Sequence, residues 1–118
     1  MGQRGIVAGQ IARGEIRLYQ FPAPDKAKPV LILTRGSAIG YLSRITIAPI
    51  TSAIRSVPSE VVVGPEDGMK QPCAVNCHNV VTVPKDRVGR RVAQLGDDGM
   101  REVCRALAFS LGCTDNAR

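Results

Sequence analysis

The sequence predicts a mainly β domain, a small and strongly bent antiparallel barrel of short strands with one α-helix at its C-terminal end. Short apolar segments recur over residues 14–95 and are separated by Pro and Gly, as in short strands joined by turns. From residue 97 onward the apolar residues recur with a helical period. The length of 118 residues fits one domain and excludes a two-domain enzyme.

The apolar pattern predicts five or six strands. The first covers residues 14–21, and the prolines of the following loop keep the chain out of the helical region. Residues 30–34 are apolar without interruption, which predicts a central strand buried on both faces. The other predicted strands are residues 43–51, 60–63, 74–83 and 88–95. Because proline lacks an N–H for the ladder, Pro49 predicts that the third strand bends or lies at an edge.

The helix is predicted over residues 97–111. Its apolar side chains fall at i, i+3, i+4, i+7, i+8 and i+11 from Met100 to Leu111, which makes it amphipathic. Asp97 can cap its N-terminus, and Gly112 ends it. Gly99 lowers the stability of the first turn by ~1 kcal/mol relative to Ala, and the sequence gives no reason for its presence.

The folded domain is expected over residues 13–113, between a flexible N-terminal arm and a short tail over residues 114–118. Residues 1–12 contain three glycines and no apolar period, as expected of an arm. No apolar run approaches the ~18 residues of a membrane span. Residues 1–12 also lack the charged and then apolar order of a secretory signal, so the sequence indicates a cytoplasmic protein.

The formal charge of +6 indicates an anionic partner such as nucleic acid, a membrane surface or an acidic peptide. The whole excess lies in residues 1–59, so a phosphate-facing surface is expected mainly from elements of that half. The alternative is a basic surface that only keeps the protein in solution. With 3% aromatic residues the chain has no large stacking platform for bases.

Several types of site are excluded by the residues present. The single histidine, His78, cannot supply a paired-imidazole mechanism within one chain. The sequence has no phosphate-binding loop for ATP or a dinucleotide and no nucleophile elbow. Glu15 and Asp25 are the only carboxylates of the basic half, too few for a divalent-cation site. We therefore expect neither a metal ion nor a cofactor.

The cysteines allow two disulfides, a metal site or free thiols. They are Cys73, Cys77, Cys104 and Cys113. A cytosolic setting keeps thiols reduced. The C-x3-C-H spacing of Cys73, Cys77 and His78 is looser than the C-x2-C spacing of structural zinc sites. Small buried cysteines therefore fit the sequence better than zinc ligands.

Lys28 and Thr51 are the residues that the chain offers for phosphodiester chemistry. Lys28 directly precedes the buried second strand, and Thr51-Ser52 end the next long strand. If they meet, a cation and a hydroxyl can stabilise the charge that develops when a neighbouring 2′-hydroxyl attacks phosphorus. Such cleavage needs no metal ion. Lys-Pro and Thr-Ser pairs are also common in loops, so the residues alone leave both interpretations open.

Four motifs occur in order: Arg13-Gly14-Glu15-Ile16, Lys28-Pro29-Val30-Leu31-Ile32-Leu33, Ala48-Pro49-Ile50-Thr51-Ser52 and the terminal amphipathic helix ending in Leu111-Gly112. In this order and spacing the chain resembles, over residues 13–113, the MazF/PemK family of toxin endoribonucleases from type II toxin–antitoxin systems. The resemblance implies an SH3-like barrel, a homodimer and metal-independent cleavage of single-stranded RNA at short sequences. It also implies neutralisation by a cognate antitoxin.

The resemblance implies that Lys28, Thr51 and Ser52 are catalytic. In the family the residue before the proline of the second strand is usually arginine, and it acts with the threonine or serine of the third-strand motif. Lysine at this position is a departure, because arginine offers a planar fork for two phosphate oxygens whereas lysine is a point charge. Either Lys28 itself acts as acid and charge stabiliser, or the guanidinium of an arginine elsewhere in the chain replaces the family arginine.

Further RNA-binding residues are expected around the motifs. The candidates for a substituting guanidinium are Arg13, Arg35 and Arg55. Asp25 alone could supply the acidic residue that the first loop of the family often has. The segment 73–79 resembles a family strand whose polar side chains face RNA, so three residues there could read base edges: Asn76, His78 and Asn79. The alternative is that Asn76 and His78 occupy the polar face of a strand.

Two other functions are compatible with such a fold. CcdB-like toxins resemble this family but bind a DNA gyrase without cleaving nucleic acid, and a module that binds RNA or antitoxin could have lost catalysis at Lys28. The Arg-Gly-Glu and Pro-Ile-Thr-Ser motifs favour the nuclease. The expected partners are single-stranded RNA, an acidic and partly disordered antitoxin segment, and a second copy of the chain, with no membrane.

Overall fold

Residues 11–113 are described by a computed structural model, and they form one antiparallel sheet of seven strands with two helices. The strands are β1 (Glu15–Gln20), β2 (Ala27–Ile32), β3 (Arg44–Thr51), β4 (Glu60–Val63), β5 (Cys73–Asn76), β6 (Val81–Pro84) and β7 (Val88–Gln94). A one-turn helix, α1 (Gly36–Ile39), follows β2, and α2 (Asp97–Leu111) follows β7. The predicted class, mainly β with a C-terminal helix, is confirmed.

The strand β3 joins the two halves of the sheet. The strand order is β4-β5-β3-β2-β1-β7, and β6 also pairs with β3. On the side away from β2, β3 pairs with β6 over residues 44–47 and with β5 at Ile50 and Thr51. Pro49 lies opposite Val30 of β2, between the two segments that pair on the other side. A residue without an N–H thus lies where that ladder is interrupted, so β3 is unpaired on this side at Pro49, although the strand as a whole lies inside the sheet. The bend at Pro49 stays a prediction.

The strand β2 is buried on both faces, as its apolar run predicts. Val30, Leu31 and Ile32 are all fully buried between β1 and β3. Val30 and Ile32 belong to one apolar cluster, and Leu31 belongs to a second cluster that includes Val103 of α2. Each face of β2 therefore supports a core of its own, which explains why the run has no polar position.

The segment 74–83 forms two strands, β5 and β6, where the apolar pattern predicted one. The side-chain oxygen of Asn76 accepts the N–H of His78 at 3.1 Å, a turn that asparagine favours. The N–H of Cys77 donates to the carbonyl of Ser59, which continues the register of β5 with β4 by one more pair. The turn then separates β5 from β6, and the strand count is seven rather than five or six.

The N-terminal boundary lies earlier than predicted. Ile11 is buried in the cluster that contains Val30, and the N–H of Ala12 donates to Glu15 Oε1 at 2.9 Å. Ile11 and Ala12 are thus part of the domain and not of an arm, because the core takes up an apolar side chain that the sequence pattern left unassigned. Residues 1–10 of the predicted arm and the predicted tail 114–118 lie outside the described residues.

The helix α2 has the predicted extent, but Gly96 rather than Asp97 is its N-cap residue. Asp97 lies in the first turn, where its negative carboxylate interacts favourably with the positive end of the helix dipole. Gly112 adopts a left-handed conformation, φ 74°, and ends the helix. A Cβ at Gly99 would lie 2.7 Å from Leu95 Cγ, so close packing explains this glycine. No helix in the described part of the chain is long and apolar enough to cross a membrane.

Candidate active site

A basic groove with a volume of about 890 Å³ opens where the ends of β2 and β3 meet β5, β7 and the loop before β5. Its polar lining combines cations, hydroxyls and amides. These residues are Lys28, Thr51, Ser52, Arg55, Lys70, Gln71, Asn76, Asn79, Arg90 and Arg91. Five of them are cationic, and no carboxylate of the described residues lines the groove. The groove is therefore suited to a polyanion.

The pairing of β2 with β3 brings the expected catalytic residues together. Val30 pairs with Pro49 and Leu31 pairs with Ala48. The pairs of β2 with β3 end at Val30 and Pro49, and Lys28 and Thr51 lie two residues beyond them, where both line the basic groove. Two motifs that are far apart in sequence thus contribute to one groove because β2 and β3 are antiparallel neighbours.

Local hydrogen bonds fix the end of β3. Thr51 Oγ1 accepts the N–H of Ala53 at 3.0 Å, which holds the hydroxyl while its own hydrogen stays available to donate. Glu60 Oε1 accepts the N–H groups of Arg55 at 2.9 Å and Ser56 at 3.0 Å. Glu60 Oε2 is buried and has no hydrogen-bond partner in the described chain. This carboxylate therefore holds the loop that brings Arg55 to the groove.

Two asparagines line the groove on its β5 side. Asn76 is 6% exposed and its Oδ1 accepts the His78 N–H at 3.1 Å, so its amide nitrogen remains the part able to donate to a ligand. Asn79 is exposed at the turn after β5. Amide groups can read the edges of unstacked bases, as expected for these two positions.

Six of the ten predicted site residues line the basic groove, and the four that do not are Arg13, Asp25, Arg35 and His78. The Arg13 guanidinium donates to the carbonyl of Leu33 and to Cys104 Sγ, so it joins β2 to α2. Asp25 and Arg35 are exposed in loops away from the groove. His78 Nδ1 shares a hydrogen bond with the hydroxyl of Ser59, a buried residue.

The groove also contains four polar residues that the sequence did not predict: Lys70, Gln71, Arg90 and Arg91. Three of its five cations thus come from the second half of the chain, so the expectation of a surface built mainly from the first half is wrong. The net charge of each half of the chain was a poor guide, because the carboxylates that balance these cations lie outside the groove, for example Asp97 and Asp98 on α2. The adjacent Arg90 and Arg91 within a predicted strand were the available signal.

The cysteines of the described chain are free thiols, with Cys73 and Cys77 buried and Cys104 and Cys113 exposed. Burial and, secondarily, the nearby Cys104 raise the pKa of Cys77 to about 11. Burial and, secondarily, Asp67 also raise the pKa of Cys73. Both buried thiols are therefore protonated at neutral pH. Residues 11–113 contain no group of three or more His, Cys, Asp or Glu side chains able to bind a metal ion.

Residues 12–111 match the family described as "PemK-like, MazF-like toxin of type II toxin-antitoxin system". "Probable endoribonuclease MazF5" of Mycobacterium tuberculosis is 36% identical over 104 residues, which are 87% of this chain and 94% of that protein. "Endoribonuclease MazF3" of the same species is 44% identical over 71 residues, 60% of this chain and 69% of that protein. The chain belongs to the PemK-like, MazF-like toxin family, as the sequence motifs indicated.

Solved structures agree with this assignment. The structure "Mycobacterium tuberculosis toxin MazF-mt6" superposes with a TM-score of 0.78 at 34% identity, over 85% of this chain and 98% of that one. An endoribonuclease from a mycobacterial species, solved in complex with its cognate antitoxin, superposes with a TM-score of 0.78 at 26% identity, over 88% and 97% of the two chains.

Proposed function

We propose that the basic groove is the active site of a metal-independent, sequence-selective endoribonuclease, the activity to which the family membership points. The observation that carries the proposal is that Lys28 and Thr51 line the same groove, which has five cations and no carboxylate among the described residues. Single-stranded RNA is the substrate, and its cleavage in mRNA stops translation and growth.

In the proposed reaction the 2′-hydroxyl oxygen of one nucleotide attacks the adjacent phosphorus and its proton passes to water. The bond from phosphorus to the 5′-oxygen breaks, which leaves a 2′,3′-cyclic phosphate and a 5′-hydroxyl. The Lys28 ammonium stabilises the charge on the phosphate oxygens and gives a proton to the departing 5′-oxygen. The hydroxyls of Thr51 and Ser52 donate hydrogen bonds to the same phosphate.

Arg55 supplies the guanidinium that Lys28 does not. Of the three candidate arginines it alone lines the groove, since Arg13 is bound to Leu33 and Arg35 lies away from the groove. Its planar fork can bind a phosphate oxygen beside the one that Lys28 holds. Asn76 and Asn79 contact the bases and give the cleavage its sequence preference.

The partners follow from the charge of the groove. An acidic, partly disordered segment of a cognate antitoxin occupies the basic groove in place of RNA, so antitoxin and RNA compete and both affinities fall with salt. The support is the positive lining together with the relative that was solved with its cognate antitoxin. The toxin acts in the cytoplasm as a homodimer.

The test is incubation of the purified protein with a long single-stranded RNA in excess EDTA, followed by mapping of the cut sites and of the end chemistry. We expect discrete cuts with 2′,3′-cyclic phosphate ends, and we expect Lys28→Ala and Thr51→Ala each to lower kcat by about 100-fold. Lys26→Ala removes an exposed lysine that directly precedes β2 and does not line the groove, and it serves as the matched control.

Two results would contradict the proposal. Unchanged cleavage by both folded variants would show that the chemistry lies elsewhere. No cleavage by the folded wild-type protein would favour the gyrase-binding or RNA-binding alternatives on the same fold.

A further inference from the structure

The strand β7 contributes three consecutive residues to the basic groove, namely Arg90, Arg91 and Val92. Regular alternation would send neighbouring side chains of a strand to opposite faces. However, residues 88–94 of β7 pair with residues 15–19 of β1, with register shifts on both sides of Arg17. The strand β7 therefore contains two extra residues as bulges, a feature that redirects side chains and recurs next to active sites.

A buried ion pair on β1 holds this irregular part of β7. Arg17 is 5% exposed, and its Nε lies 2.7 Å from Glu15 Oε1. The same guanidinium donates to the carbonyl oxygen of Gly89 at 2.9 Å. Glu15 Oε2 in turn lies 4.0 Å from Arg91 Nη1. A buried ion pair adds little net stability, so its geometric effect, a fixed backbone at Gly89, is the more informative property.

Gly89 allows β7 to lie this close to β1. A Cβ at this position would lie 3.1 Å from the carbonyl oxygen of Leu18, closer than almost all real Cβ contacts. Leu18 itself lines the groove. The arginines that follow Gly89 are thus attached to a backbone segment that is held by the hydrogen bond from Arg17 and by close packing against Leu18.

The two guanidinium groups remain available for a ligand. Arg90 is exposed and makes no hydrogen bond or ion pair with the described residues. The Arg91 side chain is 57% exposed, and besides Glu15 it contacts only Gln94 Oε1, at 3.5 Å. Arginine side chains bind phosphate oxygens through two parallel N–H groups, so this exposed pair suits a phosphate; of the two, only Arg91 faces the Glu15 carboxylate, at 4.0 Å.

The pair and Lys28 are attached to different strands of the groove. In the sheet order β1 separates β2 from β7, and neighbouring strands are ~4.8 Å apart, so the two backbones are about 10 Å apart. We propose that Arg90 and Arg91 form a second phosphate site, which binds a backbone phosphate of single-stranded RNA other than the scissile one. This inference rests on the proposed function of the groove.

Such a site binds substrate and transition state equally well, so its loss raises KM and leaves kcat nearly unchanged. The test variant is R90Q/R91Q. The matched control is R87Q/R105Q, which removes the same charge at exposed positions outside the groove. The probe is RNA of the mapped cut sequence with 2′-O-methyl groups, which cannot be cleaved, and its affinity is measured at several salt concentrations.

We expect R90Q/R91Q to bind the probe about tenfold more weakly than the control, and the slope of log K against log salt to fall by about 0.7 per phosphate lost. A second variant, R90K/R91K, retains the charge without the fork, so it should keep the salt slope but recover only part of the affinity. In cleavage assays R90Q/R91Q should raise KM about tenfold with kcat within about threefold of wild type.

Three results would overturn the inference: equal salt slopes and KM for R90Q/R91Q and the control, a loss confined to kcat, or loss of antitoxin binding with RNA binding intact. The last result would assign the pair to the protein partner. Failure of the proposed function is distinct, because it would appear as undiminished cleavage by Lys28→Ala whatever the arginine pair does.

Discussion

In the proposed reaction, Lys28 and Arg55 divide between two residues a task that one arginine can perform. A lysine ammonium is a compact point charge, whereas a guanidinium presents a planar fork to two oxygens. Lys28 and Arg55 both line the basic groove, and the hydrogen bonds from the Arg55 and Ser56 amides to Glu60 hold the backbone of Arg55 there. We propose that the two cations contact one phosphate together, although they come from different elements.

This division predicts energetic coupling between the two positions. Arg55→Ala should lower kcat/KM about tenfold in the wild-type protein, but by less in a Lys28→Arg background, where the new fork already binds both oxygens. The expected coupling energy is about 1 kcal/mol, within the range measured for neighbouring residues. Steady-state cleavage of one short RNA by the four proteins of the cycle measures it, with Arg35→Ala as control. Strictly additive effects would refute the shared contact.

The helix α2 packs against the sheet with Gly99 in its first turn. Leu95 directly precedes the helix, is 3% exposed, and lies over this glycine. A helix of this length would ordinarily gain from alanine at such a position. The space for that methyl group is already filled by the Leu95 side chain, so tertiary packing overrides the local helix preference.

Gly99→Ala should therefore destabilise the protein by about 1–2 kcal/mol, because overpacking against Leu95 exceeds the gain in helix propensity. Urea unfolding monitored by circular dichroism measures the change. Gly40→Ala is the matched control, since Gly40 has a helical φ of −64° and nothing within 4 Å of an added Cβ. A neutral or stabilising Gly99→Ala, or an effect that persists unchanged with Leu95→Ala, would contradict the packing explanation.

The molecule as a whole has two apolar clusters on the two faces of β2, and Cys77 belongs to the cluster that also contains Val103 of α2. Cys77 is 1% exposed. Burial disfavours the thiolate, which raises the pKa of Cys77 from its ordinary value of 9.0 to about 11. The folded protein thus holds this proton more tightly than the unfolded chain does, which links alkaline pH to the stability of the whole domain.

The stabilisation that results from the raised pKa of Cys77 should be fully present below pH 9. It should be lost as the pH rises toward 11, which lowers the free energy of unfolding by about 2–3 kcal/mol in total. Comparison of wild type with Cys77→Ala by urea unfolding at several pH values isolates the contribution, because other alkaline titrations are common to both proteins. Parallel stability curves for the two proteins between pH 9 and 11 would be the contrary result. Native-state alkylation should modify the exposed Cys104 before Cys77.

The placement of Lys28 and Thr51, the proposed catalytic residues, illustrates what can be predicted from a single sequence. The apolar run before Leu33 and the motif ending in Thr51-Ser52 identify two buried strands, and these consecutive strands pair antiparallel, so that both residues line one groove. The apolar period likewise defines α2 over Asp97–Leu111. These features depend on local patterns, in which each residue responds mainly to its neighbours in sequence.

The sequence by itself thus determined the fold class, the central β2 and the terminal helix, and its resemblance to the family proposed Lys28 and Thr51 as a catalytic pair. Only the tertiary structure decided that Arg13 binds Leu33 and Cys104 outside the groove, that Asn76 ends β5, and that Arg90 and Arg91 enter the groove. The physical reason is that hydrogen bonds and bulges between distant segments choose the direction of a polar side chain. The pattern of apolar and polar residues along the chain does not show in which direction each polar side chain points.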